Sequence, residues 1–179
     1  MNFSNNMSHY AITIYPAPIL KNKAKEVREV TLEIKKIIGA MEKVMEEHDG
    51  VGIAAPQIGI PERIIIVKNS VGNHAFLNPV IVKRSKKQIT DEEGCLSLPE
   101  IFVKIKRAEE VEVMCQTLKG ETVKIKAKGI GARIFQHEID HLNGVLIINK
   151  ISALARFKLR KQLRELTTTH PASHSTRVA

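Results

Sequence analysis

From Ile134 to Leu142 the chain reads Ile-Phe-Gln-His-Glu-Ile-Asp-His-Leu, and no other stretch restricts its fold so tightly. Ile134, Phe135 and Leu142 predict a helix with an apolar, buried flank. Side chains four apart lie on one helix face, so His137 and His141 can reach a single metal ion. Glu138 projects close to that ion, where a bound water would need a base. Imidazoles enclosed in apolar surroundings need partners, and a metal ion is one. The competing reading leaves both histidines on a helix surface, since short patterns recur by chance. Two histidines also fall one short, because catalytic sites usually take three protein ligands plus water.

Cys95 can supply the third ligand. It lies in Glu93-Gly94-Cys95-Leu96-Ser97, which reads as a loop between Gly94 and Pro99. A thiolate there completes a Cys-His-His set. The bland alternative is a small buried hydrophobe, as isolated cysteines often are. That role suits Cys115 better, because it shares the inward phase of Val111 and Val113. With two thiols only, no disulfide framework forms, and a reducing compartment is expected.

A third constellation is Gly50-Val51-Gly52-Ile53-Ala54-Ala55-Pro56-Gln57. It lacks the spacing of a nucleotide-binding loop. Its small residues suit either a tight connection packed on the core or the close approach of a substrate backbone. In the second case Gln57 is the polar side chain available to donate a hydrogen bond.

The remaining sequence supplies the scaffold. Thr31 to His48 reads as an amphipathic helix with Thr31 as N-cap and Ile34, Ile37, Ile38, Met41, Val44 and Met45 inward. Strands are expected over 63–68, 75–82, 101–106, 110–115 and 122–127, where β-branched residues lie between turn signals. Gly129 to Gly131 opens the histidine helix and Asn143-Gly144 ends it. A third helix is expected from about Ser152 to Leu166, with Ala155, Leu159, Leu163 and Leu166 along one side. The expected class is α+β: antiparallel β-sheets around a central metal-binding helix, with an N-terminal and a C-terminal helix. One catalytic domain spans 1–166, and 167–179 is expected to be a disordered tail.

Composition narrows the partners. A content of 43% hydrophobic and 26% charged residues is ordinary for a soluble globular protein. No apolar run is long enough for a membrane span, and no secretory signal is visible at the N-terminus. The net charge of +9 favours polyanionic partners, or simply solubility. At 4% aromatic residues and no Trp, a base-stacking RNA platform is not expected.

The three segments together resemble the peptide deformylase family, marked by a glycine-containing motif ending in Gln, by EGCLS and by QHEIDH. The resemblance extends from Ile14-Tyr15-Pro16 to the third helix. Pro16-Ala17-Pro18 has Ala where many members have Asp, which touches no catalytic role. It implies Cys95, His137 and His141 as metal ligands, Glu138 as catalytic acid/base, and Gln57 with the Leu96 N–H as oxyanion donors. Gly50, Val51, Gly52 and Ile134 match substrate-binding positions beside a methionine pocket. The implied substrate is an N-formylmethionyl nascent peptide, and the implied metal is Fe(II), with Zn(II), Ni(II) or Co(II) able to replace it. The helical C-terminus resembles the bacterial subgroup in which this element docks on the ribosome; a solvated helix face is the plainer reading of its basic residues Lys150, Arg156, Lys158, Arg160, Lys161 and Arg164. A membrane or a sequence-specific nucleic-acid partner is not expected. The expected compartment is the bacterial cytoplasm, or an organelle if a transit peptide has been removed.

Two other classes fit part of the pattern. An HExxH endopeptidase usually draws its third ligand from downstream, whereas Cys95 lies upstream. A basic ribosome- or RNA-binding protein with a structural zinc normally offers four protein ligands, and no fourth is evident.

Overall fold

The computed structural model describes residues 10–169. Helix α1 (Leu32–Glu47) starts where Thr31 Oγ1 accepts the Ile34 N–H at 3.3 Å, which satisfies an otherwise free donor of the first turn. Ile34, Ile37, Ile38, Met41, Val44 and Met45 are all buried on one face. Burying each such side chain contributes roughly 1.5–3 kcal/mol, so packing holds this helix more than its intrinsic propensity does. Asp49, at φ 52, turns the chain out of the helix.

The strands are β1 (Gly52–Ala54), β2 (Ile64–Asn69), β3 (Gly72–Arg84), β4 (Gln88–Cys95), β5 (Leu98–Ala108), β6 (Glu110–Gln116) and β7 (Thr122–Lys128). They form a five-stranded antiparallel sheet, ordered β1-β2-β3-β6-β7, and a separate β4-β5 hairpin. On β6 the inward residues Val111, Val113 and Cys115 are buried beside outward Glu110 and Glu112, as a half-buried strand requires. Burial pushes the Cys115 thiol up to about 11, so this cysteine is an inert part of the core.

Two strands depart from the sequence reading. β1 lies in the glycine-bearing segment, and β4 ends at Cys95, which therefore closes a strand rather than sitting in a loop. The turn is confined to Leu96 and Ser97, with Cys95 facing Leu98 across it. β4 shows no apolar alternation because all of Gln88–Glu92 is exposed; its continuous pairing with β5 is what makes it a strand.

Helix α2 (Ile130–Leu142) packs against β1, β2 and β7 of the large sheet and against β5 of the hairpin. Ala132, Ile134, Phe135, Ile139 and Leu142 join β2 and β6 residues in one apolar cluster. Two polar clamps fix its rotation and height. Gln136 exchanges hydrogen bonds with the backbone of Ala108, and buried Arg63 donates to the Leu142 carbonyl and Asn143 Oδ1 at its C-terminal end. Gly144 follows at φ 71, where a Cβ would lie 2.4 Å from the Lys21 carbonyl oxygen; only glycine permits this close approach.

The C-terminal helix is broken. It comprises α3 (Ala153–Lys158), capped by Ser152, and α4 (Arg160–Thr169), separated at Leu159. Leu163 is buried, with Leu159 and Leu166 packed around it, against Leu98, Ile101 and Ile105 of β5 and Leu146–Ile148. The helix thus runs past Leu166, into what the sequence suggested was tail, and residues 170–179 of that tail lie outside the described residues. No helix among the described residues is long and apolar enough to cross a membrane.

Candidate metal centre and active-site cleft

Helix α2 presents His137 and His141 one turn apart, and the end of β4 brings Cys95 to them. The ligand atoms of the three lie within 4.8 Å of one another. Cys95 Sγ is 3.2 Å from His141 Nε2, which is 3.2 Å from His137 Nε2. Burial, then the charges of His137 and Arg107, hold His141 well below the usual imidazole value, leaving the neutral ring that ligates metals. Burial alone would also lower His137. Hydrogen bonds to Cys95 and Glu93 outweigh it and raise His137 well above its usual value, so these surroundings favour positive charge. A divalent cation satisfies the same field. One thiolate and two imidazoles therefore fit a transition metal with a coordination position left for water or substrate.

Glu138 follows His137 on the helix and is buried, with its Oε2 lacking any hydrogen-bond partner among the described residues. Burial pushes its carboxyl up to about 7, against the opposing charges of His137 and Arg107. A carboxyl so placed can take and return a proton near neutral pH. Gly52 closes in from β1: a Cβ there would lie 2.6 Å from Glu138 Oε1 and 2.7 Å from Ile134 Cγ2. The glycine is thus needed for the backbone to pass beside the acid.

Gln57 sits in the short 3₁₀ turn Ala55–Ile58, buried. Its Oε1 accepts the Ala54 N–H at 2.8 Å, which identifies the oxygen and turns the NH₂ group toward the centre. That nitrogen lies 3.7 Å from Cys95 Sγ and 3.4 Å from Ser97 Oγ. Leu96 lies in the turn beside Cys95. A cleft of about 620 Å³ contains Gln57, Cys95, Leu96, His137 and Glu138 together with Gly50, Val51, Gly52 and Ile134. These last four play unequal parts in its shape. Ile134 is buried, whereas Val51 is 55% exposed at the mouth, and Gly50 packs closely on Met45 and Leu96.

Several residues of the centre escaped the sequence reading. Glu93 Oε2 is 3.0 Å from His137 Nδ1, on the ring edge opposite the Nε2 that faces His141. Arg107 donates two hydrogen bonds of 2.8 Å to Glu93, and Arg133 a third of 2.6 Å. Burial would raise the Glu93 carboxyl, but Arg107 and His137 outweigh it and hold it well below the usual carboxylate range. Arg107 also reaches Asp140, which pairs with Lys150. A carboxylate bonded to the far nitrogen of a ligating histidine fixes its tautomer and ring orientation. The signal was present at Arg107, which shares the inward phase of Ile101, Val103 and Ile105 on β5.

The polypeptide deformylase profile matches residues 9–157, most of the chain and every residue of this centre. The chain belongs to the polypeptide deformylase family. The Thermotoga maritima peptide deformylase is 44% identical over 160 residues, covering 89% of this chain and 98% of that one. The Plasmodium falciparum peptide deformylase in complex with an inhibitor superposes with a TM-score of 0.82 at 38% identity, over 88% of this chain and 99% of that one. The Ehrlichia chaffeensis peptide deformylase bound to actinonin gives a TM-score of 0.84 at 31% identity, over 92% and 99%. As a deformylase, the chain is a metal-dependent hydrolase with an α+β fold, and neither rival class is supported.

Proposed function

We propose that this deformylase hydrolyses the N-formyl group from the initiator methionine of nascent polypeptides, releasing formate. The observation that carries the reading is the Cys95, His137 and His141 donor cluster beside a cleft lined by Cys95, His137 and the buried Glu138, whose Oε2 is unpartnered. When bound there, a divalent ion supplies Lewis-acid activation of water and of the formyl carbonyl. Glu138 takes a proton from the attacking water and later delivers it to the departing amine. The Gln57 NH₂, held by its Ala54 contact, donates to the oxygen on which negative charge develops, with the Leu96 N–H as second donor. Gly52 and Ile134, with Val51 and Gly50 on the rim, receive the methionine side chain.

The metal proposed is Fe(II), with Zn(II), Ni(II) or Co(II) able to take the same donors. Peroxide should abolish activity of the freshly purified, anaerobically handled protein and spare a nickel-loaded sample; equal resistance in both would exclude ferrous iron. The exposed basic residues Arg156, Lys158, Arg160, Lys161 and Arg164 of α3 and α4 support docking on ribosomal RNA through phosphates, in a bacterial cytoplasm. Salt-sensitive co-sedimentation with ribosomes, lost when Arg156, Arg160 and Arg164 become Gln, tests that partner; salt-insensitive or absent binding would refute it.

The activity itself is tested by formate release. Formyl-Met-Ala should be turned over and an unblocked, longer peptide left intact. Cleavage of the internal bond without formate release would instead indicate an endopeptidase.

A further inference from the structure

The two oxyanion donors come from separate pieces of the fold. Gln57 stands in the turn between β1 and β2 of the large sheet, whereas Leu96 stands in the turn of the β4-β5 hairpin, which shares no strand with that sheet. Ser97, next to Leu96, joins them. It is fully buried, and the one hydrogen bond of its hydroxyl among the described residues is accepted from Gln57 Nε2 at 3.4 Å. A hydroxyl taken out of water is costly without a partner, and an alanine would fill the same place without that cost. Main-chain bonds fix both ends of the contact. The Thr13 N–H donates to the Gln57 carbonyl at 2.7 Å, and two residues on the Tyr15 N–H donates to the Ser97 carbonyl at 3.0 Å. Ile12 packs on the cluster around α1 and Tyr15 on the cluster around β5, so this short strap is itself seated on both sides.

The Gln57 amide has two hydrogens to give. Its oxygen is held by the Ala54 N–H, so with one hydrogen on Ser97 Oγ the other is left for the side of Cys95 Sγ, 3.7 Å away at the metal centre. At 3.4 Å the serine bond is long: it steers the amide without claiming it from a substrate oxygen. We infer that Ser97 is a positioning residue of the oxyanion hole, whose hydroxyl aims the Gln57 amide and ties it to the turn that carries the Leu96 N–H. The inference rests on the deformylase reading and adds to it a side chain that touches neither metal nor substrate.

The test is Ser97→Ala in the metal-loaded enzyme, with formyl-Met-Ala as substrate, alone and combined with Gln57→Leu. Losing a whole oxyanion donor costs about 10²–10³ in kcat, and losing only its aim should cost about 5- to 30-fold, with KM changed by less than about twofold. In the Gln57→Leu background the same substitution should lower kcat by less than about twofold, because no amide is left to aim. Metal content by direct analysis and Tm should stay at the wild-type values, which separates aiming from a general loosening of the turn. Wild-type kcat in Ser97→Ala, an equal fall in both backgrounds, or a fall that follows lost metal or a lowered Tm overturns the inference, while formate release by the wild type keeps the deformylase reading. No formate from the wild type overturns both.

Discussion

Replacing Arg107 with leucine should weaken the metal centre from a distance. The guanidinium is 4% exposed, holds Glu93 through two 2.8 Å hydrogen bonds and reaches Asp140 with a third. Removing one partner of a buried ion pair costs about 3–5 kcal/mol, because a charge is left behind in low dielectric. Here Arg133 still serves Glu93 and Lys150 still serves Asp140, so the lower end, about 3 kcal/mol, is expected. For a domain of this size that corresponds to a fall in Tm of roughly 6–12 °C in the metal-free protein. A loosened Glu93 no longer fixes His137, and metal affinity should fall about 10–100-fold, read by chelator competition. The pH dependence has a definite sign. Glu93 is depressed in the folded state, so its contribution is fully present above the ordinary carboxyl value of 4.5 and fades as pH falls below it. The Tm gap between wild type and variant should therefore hold at pH 7 and narrow below about 4.5. Circular dichroism melts at pH 7 and pH 3.5 measure it. A variant that melts within about 2 °C of wild type at pH 7 and binds metal as tightly would refute the reasoning.

Other substitutions separate the roles around the centre. Glu138→Ala should retain metal by direct analysis yet lose nearly all turnover; retained turnover with bound metal would remove Glu138 from proton transfer. Gln57→Leu should lower kcat about 10²–10³-fold with a smaller change in KM, and an unchanged kcat would remove its donor role. Gly52→Ala places a Cβ where Glu138 Oε1 and Ile134 Cγ2 now sit, and the resulting shift of the acid should lower kcat by about 10²-fold. Wild-type kcat in that variant would show that the carboxyl needs no such placement.

How much was legible depends on how each residue's information is stored. α1 and α2 could be read because their apolar spacing, caps and terminating glycines are local, and His137 and His141 carry their geometry in their spacing. β4 could not. Its residues from Gln88 to Glu92 are all exposed and show no apolar alternation, so only its pairing with β5 marks it as extended, and a strand end looked like a loop around Cys95. The break at Leu159 was equally hidden, since the apolar spacing of Leu159, Leu163 and Leu166 continues across it. The polar lattice behind the metal centre is the instructive case. Glu93, Arg107, Arg133 and Asp140 come from β4, β5 and α2, and no window of sequence contains their geometry. Yet each charge sits where burial would be costly alone: Arg107 in the inward phase of β5, Arg133 one turn before His137. A buried charge must be paired, so two buried arginines on elements that meet demand carboxylates between them. That demand, applied to Arg107 and Arg133, leads to Glu93 and so to the orientation of His137.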